Sequence, residues 1–320
     1  VTVSVLYCVS ARFNRKSIMA TSDLFEVVNN AGGMPMAVLT HPRTGAKVNV
    51  HLQGAHVEGW VTATGAQPLY TSPATLYKEG KAVRGGIPVC WPQFSDLGPC
   101  PASHGYARVS MWDPIAAVDD AKRDAVSLTL RLGIVAGAPD FDTATAEYTV
   151  TLVGASGLEL SLRVSNSANA STPLEFTTAL HTYFAVSDIA SARVEGVLDE
   201  CVYADNLEKR AMKPAAVIRT FEGEVDRIYH GSNGAPIRVV DGATGAVTTV
   251  TATGLDDTVL WNPWIEKAKA LADLPDDGYK HFVCVESAAV KNKVTVAPGA
   301  SWTGTQTVAY AAGGSPTSKM

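Results

Sequence analysis

The dominant period along the chain is two. In "VSLTLRLGI" (126–134), "EYTVTLVG" (147–154), "LELSLRVSN" (158–166) and "VTTVTAT" (247–253), aliphatic and β-branched residues recur at alternate positions between polar ones. Alternation puts one set of side chains on each face of an extended segment, so each stretch reads as a strand with one face toward a core. "KVNVHLQGAHVEGW" (47–60), "HFVCVES" (281–287) and "KVTVAPG" (293–299) read the same way. Turns built on Gly, Pro, Asn and Asp divide the runs, as at Gly154 to Gly157 and Asp241 to Gly245. Many short strands at this spacing predict an all-β fold, a large antiparallel β-sandwich with few short helices, and not a βαβ arrangement. The one helical stretch is "NPWIEKAKALADLP" (262–275), with Asn262 placed to cap it, Pro263 at its first position and Pro275 as its stop.

No fixed-period repeat, linker or break in composition interrupts the segment 24–311, which predicts a single domain there. Residues 1–23 are expected to be an N-terminal extension outside the core, with Met19 as a natural start, and 312–320 a flexible tail. The tail ends Ser318-Lys319-Met320, close to the Ser-Lys-Leu peroxisomal address, so the expected locations are the cytosol or a peroxisome-type organelle.

Hydrophobic residues make up 46% of the 320 positions, enough for a sizeable core. The net charge of −5 argues against nucleic acid as the main partner, because phosphate backbones select basic surfaces. No uncharged apolar run approaches the roughly 20 residues of a membrane span. The five cysteines, at 8, 90, 100, 201 and 284, are scattered and form neither a CxxC pair nor a Cys/His cluster, so a reduced intracellular protein without a zinc site is expected. Phosphate-loop, dinucleotide and nucleophile-elbow motifs are missing from the sequence, which removes most nucleotide and serine-hydrolase chemistry.

Polar groups concentrate in five places. "VRGGIPVCWPQF" (83–94) sets Arg84 before two glycines that permit an unusual backbone, although a lone arginine is commonly a solvated surface residue. In "SHGYARVSMWDP" (103–114), an extended backbone would put His104, Tyr106 and Arg108 on one face. "LEFTTALHTYFAVSDI" (174–189) holds His181 among Leu180, Tyr183 and Phe184, the company of a core histidine as much as of a catalyst. "EVDRIYHG" (224–231) contains Asp226, which taken alone reads as a turn or ion-pair residue. In "HFVCVESAAV" (281–290), Glu286 shares a face with Phe282 and Cys284. A carboxylate on that apolar side must be paired, hydrogen-bonded or poised for chemistry, since burying it bare costs several kcal/mol. Desolvation would raise its pKa and suit it to act as a base near neutral pH.

Together, "RGGIPVCWPQF", "HGYAR", "TALHTYFAVSDI", "VDRIY", "LWNPW" and "VCVESA", in this order, resemble the hexose-6-phosphate mutarotase branch of the aldose 1-epimerase family. The resemblance implies a galactose-mutarotase-like β-sandwich that interconverts the α and β anomers of a hexose 6-phosphate, with no cofactor or metal. It also implies a small sugar phosphate as partner; a monomer is expected separately, because many single-domain β-sandwich enzymes work as monomers. It assigns the proton acceptor to Glu286 and the donor to His181, phosphate contacts to Arg84 and Arg108, and sugar contacts to His104 and Asp226. Relatives commonly carry glutamine where Ser103 stands, so the hydroxyls read, and the hexose preferred, are open at this point. Two other readings compete: an epimerase of unphosphorylated sugars, which would not need the two arginines, and a non-catalytic carbohydrate-binding sandwich, which would not need Glu286 with His181.

Overall fold

Twenty strands carry the alternation read from the sequence, in a computed structural model that describes residues 24–132, 141–216, 218 and 220–313. Cys8, Met19, the extension 1–23 and the tripeptide 318–320 lie outside the described residues. Strands β1 (Phe25–Asn29), β2 (Pro35–Thr40), β3 (Lys47–His51) and β4 (His56–Val61) form a meander in sequence order. Then come β5 (Val89–Cys90), β6 (Trp112–Asp120), β7 (Ala125–Leu132), β8 (Ala144–Val153) and β9 (Gly157–Asn166). The middle of the chain supplies β10 (Leu174–Leu180), β11 (Tyr183–Ala185), β12 (Arg193–Gly196), β13 (Tyr203–Asp205), β14 (Ala211–Lys213) and β15 (Val225–Tyr229). The last third supplies β16 (Ile237–Val240), β17 (Val247–Thr253), β18 (Asp257–Asn262), β19 (Phe282–Val296) and β20 (Ser301–Ala311).

One eight-stranded antiparallel sheet has the order β12-β16-β17-β20-β9-β8-β7-β6. The other runs β14-β13-β15-β18-β19-β10-β5, with β11 also paired to β19. The expected all-β sandwich is therefore the observed architecture, with a third, smaller sheet of four strands. Alternation fills its core. Val126, Leu128 and Leu130 of β7, Tyr148, Val150 and Leu152 of β8, and Leu158, Leu160 and Leu162 of β9 are all buried. Val150 faces both Leu128 and Leu160 across the ladders. Each such aliphatic side chain contributes roughly 1.5–3 kcal/mol on leaving water. Leu180, Phe184, Leu260, Val283 and Val285 of the other sheet join the same core. On the opposite face of that sheet lies a smaller cluster of Cys90, Phe94, Ala179, Ala204, Ile228, Val259, Ala288 and Val290. The functional groups share that second face.

Four local expectations need correction. The stretch 103–114 is not extended: His104 (φ 63°) and Gly105 (φ 67°) are left-handed, Ala107–Val109 is a 3-10 turn, and β6 starts only at Trp112. A Cβ at Gly105 would lie 2.4 Å from the Trp91 carbonyl oxygen, so close backbone approach dictates the turn. The helix predicted over 262–275 shrinks to α1 (Trp264–Lys269). Its N-cap is Pro263, without a side-chain cap, and not Asn262 as expected, although Asn262 Oδ1 accepts from Trp264 N at 3.0 Å; Ala268 is the one fully buried residue of α1, too little apolar surface to hold a longer helix. Residues 47–60 divide into β3 and β4 at a left-handed turn through Gly54 (φ 82°). Conversely, the two segments at 281–287 and 293–299 belong to one strand, β19, which ends at Val296.

Candidate active site

The antiparallel register of four strands assembles the site in rows. Cys284 on β19 is flanked by Trp261 of β18 on one side and Tyr183 of β11 on the other, and Trp261 is flanked in turn by Asp226 of β15. Two residues along, Glu286 lies beside Val259, and Val259 beside Ile228. His181, in the link between β10 and β11, completes this second row, since Leu180 pairs with Ser287. Period-two alternation therefore sends His181, Tyr183, Asp226, Trp261 and Glu286 to one face.

The imidazole of His181 stacks on Tyr183, with ring centroids 4.9 Å apart and planes 9° from parallel, and meets the edge of Trp261 at 5.8 Å. These rings hold its Nδ1 at 3.3 Å from Glu286 Oε1, an ion-pair distance without hydrogen-bond alignment. Glu286 is 1% exposed, and its Oε2 meets no donor among the described residues. Neither the Glu286 Oε2 nor the His181 Nδ1 is committed to another side chain or main-chain group among the described residues, so both can engage a ligand.

Burial shifts both groups toward their neutral forms. Desolvation, reinforced by Asp226 and opposed by Arg108, holds Glu286 well above the usual carboxylate range. Desolvation, with the neighbouring His104 and the positive fields of Arg108 and Arg84, holds His181 well below the ordinary imidazole value. Both shifts favour the uncharged forms, and the 3.3 Å contact lies within reach of proton transfer between the two groups.

His104 reaches the pair from the other rim, its ring 5.6 Å from that of His181. Its left-handed backbone is fastened to Ser95: His104 N donates to Ser95 O at 2.7 Å, and Ser95 N donates to His104 Nδ1 at 3.2 Å. The Nδ1 therefore accepts, leaving the proton on Nε2. Desolvation, Arg108 and Arg84 push its pKa down to about 3, so it stays neutral.

Arg84 donates from Nε to Asp273 Oδ1 and from Nη1 to the Tyr183 hydroxyl, both at 3.1 Å. The two glycines after it bring the chain against β4: a Cβ at Gly86 (φ 56°) would lie 2.1 Å from the Val57 carbonyl oxygen. Arg108 stands on the 3-10 turn and donates from Nη2 to Ser103 O at 2.9 Å. Ser103 is exposed, and its main-chain carbonyl orients Arg108. Both guanidinium groups lie close enough to His181 and His104 for their positive charge to lower the pKa of each. Asp226 accepts from Asn206 Nδ2 at 2.6 Å, and Lys267 Nζ stands 3.9 Å from its Oδ2. Burial raises its pKa.

Sequence reasoning missed Tyr183 and Trp261 as walls of the site, although Tyr183 stands two residues from His181 and so shares its face. It also missed Gln93, a fully buried amide that organises the loop carrying Ser103 and His104. Gln93 Nε2 donates to the carbonyls of Ser95, Cys100 and Ala102, and its Oε1 accepts from Cys100 N. Asp273 leaves no signal, because its partner lies 189 residues away. His181, Cys284 and Glu286 offer N, S and O donors within 4.8 Å of one another, the set in this site that could take a thiophilic divalent cation.

The chain can be set beside the aldose 1-epimerases. The model of that family matches residues 35–309, and the chain belongs to it. Within the family, the chain is 37% identical over 295 residues to a Cenchrus ciliaris protein named "Putative glucose-6-phosphate 1-epimerase", covering 88% of this chain and 87% of that one. A protein of the same name from Escherichia coli (strain K12) is 34% identical over 257 residues, covering 80% and 83%. Among solved structures, a Salmonella typhimurium mutarotase superposes with a TM-score of 0.79 at 27% identity, covering 91% of this chain and 95% of that one.

Proposed function

We propose that this protein interconverts the α and β anomers of a hexose 6-phosphate, with glucose 6-phosphate as the preferred substrate. The observation that carries this reading is the buried His181–Glu286 pair, each member with an unpartnered atom, in the positive field of two arginines. The reaction needs two groups acting on oxygens bonded to one carbon, so adjacent side chains suffice. In the charged form of the pair, the Glu286 carboxylate takes the proton from the C1 hydroxyl while the His181 imidazolium gives its proton to the ring oxygen. The C1–ring oxygen bond breaks, the aldehyde forms, and the pair is left as carboxylic acid and neutral imidazole, its uncharged form. After rotation about C1–C2 the same transfers run backward and close the ring on the other face. Protons balance within the pair. Arg84 and Arg108 hold the phosphate through charge-assisted hydrogen bonds, His104 donates to the sugar, and Asp226 accepts from its hydroxyls.

The Ser318-Lys319-Met320 ending supports delivery to a peroxisome-type organelle; import of a reporter bearing the last residues checks it, and diffuse fluorescence would assign the cytosol.

Saturation-transfer NMR of glucose 6-phosphate anomers tests the scheme. Glu286→Gln is expected to slow exchange by about 10²–10⁴-fold, the range for a positioned acid–base group. Unchanged exchange would refute the roles given to the pair. Equal turnover of glucose 6-phosphate and free glucose would instead remove the phosphate roles of Arg84 and Arg108.

A further inference from the structure

A polar chain crosses the mouth of the site between two sugar-facing residues on opposite rims, through side chains the mechanism does not use. At one end is Asp226, whose Oδ1 accepts from Asn206 Nδ2 at 2.6 Å. The Asn206 Oδ1 accepts from Arg210 Nε at 3.3 Å, and Arg210 Nη2 donates to Asp96 Oδ1. Asp96 also accepts from Ser95 Oγ at 3.3 Å, and Ser95 is the residue that fixes His104.

We propose that Asn206 and Arg210, on the hairpin between β13 and β14, are positioning residues for the sugar-reading carboxylate of Asp226, and that the Arg210–Asp96 pair clasps this hairpin to the loop carrying His104.

Three observations carry this. The first is orientation. An amide can present either end to a neighbour, but the Arg210 Nε–H engages Asn206 Oδ1, which obliges Nδ2 to face Asp226. With Oδ1 of Asp226 taken and Lys267 no nearer than 3.9 Å to Oδ2, the second oxygen is left to accept from a sugar hydroxyl.

The second is backbone strain. The hairpin turns through Lys209 (φ 56°) and Arg210 (φ 63°), two successive non-glycine residues in the left-handed region. The turn is closed by Arg210 N donating to Asp205 O at 2.7 Å, and Asp205 caps it through its bond from Leu207 N. Glycine would relieve the strain at either position, but glycine at 210 could not reach Asn206 and Asp96 together.

The third is symmetry of construction. The opposite loop is closed by Ser95 (φ 51°) and His104 (φ 63°), again two left-handed non-glycine residues. Each rim is therefore held in a costly conformation that aims one polar side chain at the partner rim and another at the sugar. Strain kept on both sides of a cavity belongs to pre-organisation of binding more than to bracing of the fold. The function assigned to the clasp is to fix the distance between His104 and Asp226, so that both reach the same pyranose. It rests on the proposed epimerase reading.

The test is steady-state anomer exchange on glucose 6-phosphate by the full chain, with thermal unfolding recorded for every variant. Asn206→Asp keeps size and replaces the donor with an acceptor facing a carboxylate. It is expected to raise KM about tenfold or more, the effect of losing one charge-assisted bond, with kcat changed much less. In an Asp226→Asn background the same substitution should add nothing further, because Asn206 acts through Asp226. Arg210→Ala and Asp96→Asn should each raise KM severalfold, without adding in combination, and the exchange Asp96→Arg with Arg210→Asp should recover part of the loss. A fall in the unfolding midpoint with KM unchanged would show a purely structural brace and overturn the proposal. So would additive losses in Asn206→Asp with Asp226→Asn. If the unsubstituted protein failed to exchange glucose 6-phosphate anomers, the epimerase reading would fail; if it exchanged them and Asn206→Asp left KM unchanged, this inference alone would fail.

Discussion

The single proton held by His181 and Glu286 makes stability depend on pH in a way that can be worked out. In the unfolded chain the carboxyl titrates near 4.5 and the imidazole near 6.5, their ordinary values. In the folded chain the carboxyl is raised and the imidazole lowered, so between those two pH values folded and unfolded forms each bind one proton and stability has no slope from this pair. Above pH 6.5 the unfolded pair binds none while the folded pair still binds one. A group whose folded pKa is raised stabilises at low pH and loses that contribution as pH climbs through it, so stability falls. The slope is about 1.4 kcal/mol per pH unit for one proton, and it persists until the pH passes the raised pKa of Glu286. Glu286→Gln leaves His181 alone; its lowered pKa gives a contribution present above pH 6.5 and lost as pH falls, so this variant is flat above that point. The other titratable groups are common to both proteins, so their contributions cancel when the two pH profiles are compared. Urea unfolding of both proteins from about pH 6.5 to 8.5 should show the wild-type advantage shrinking, or the variant's growing, by up to about 1.4 kcal/mol per unit. Parallel profiles would falsify the shared-proton description.

Two substitutions test how the site is held. Gly86→Ala should lower stability by about 2–5 kcal/mol, the sum of a left-handed alanine and a collision with the Val57 carbonyl, whereas Gly65→Ala, left-handed (φ 86°) but in open space, should cost only about 1–2 kcal/mol; equal midpoints in chemical denaturation would contradict this. Asp257→Ala should cost about 2–5 kcal/mol, because Asp257 Oδ2 accepts from the amides of Val290 and Lys291 at 2.9 and 2.7 Å, while Asp257→Asn, which keeps an acceptor, should cost less.

Strand positions and the apolar faces were legible in the sequence because they depend on a local period. Glu286 could be placed on an apolar face from two neighbours, and β19 keeps that parity. What stayed illegible depends on long-range geometry. Nothing within "SHGYAR" announces that His104 takes a left-handed backbone, because the constraint is the Trp91 carbonyl pressed against Gly105. The residues still converge, but through a turn and a 3-10 segment where alternation predicted a strand face. The helix was over-read because its caps and prolines are local signals, while its length is set by how little of it packs. The upward shift of Glu286 was legible from its apolar neighbours, whereas the downward shift of His181 follows from burial and positive charge brought from other segments.

Burying an unpaired carboxyl is costly, and the fold makes it possible by fixing register at a distance. A one-residue slip of β19 against β18 or β10 would turn Glu286 into the main core and bring Val285 to the site. The ladder between β10 and β19 shifts register between Phe176 and Thr178, and Asp257 Oδ2 acts at this irregularity while its Oδ1 ties in the turn after β15. One takes the amides of Val290 and Lys291, and the other accepts from Gly231 N at 3.3 Å. Thr177, at the same break, turns its hydroxyl outward to accept from Phe94 N and donate to Leu97 O, which seats the loop that continues to His104. One irregularity thus sets both the face on which the carboxyl emerges and the height of the opposite rim. Polar groups at the break are fully bonded so that those two residues further along can be left without partners, and it is the unbonded atoms that a sugar can occupy.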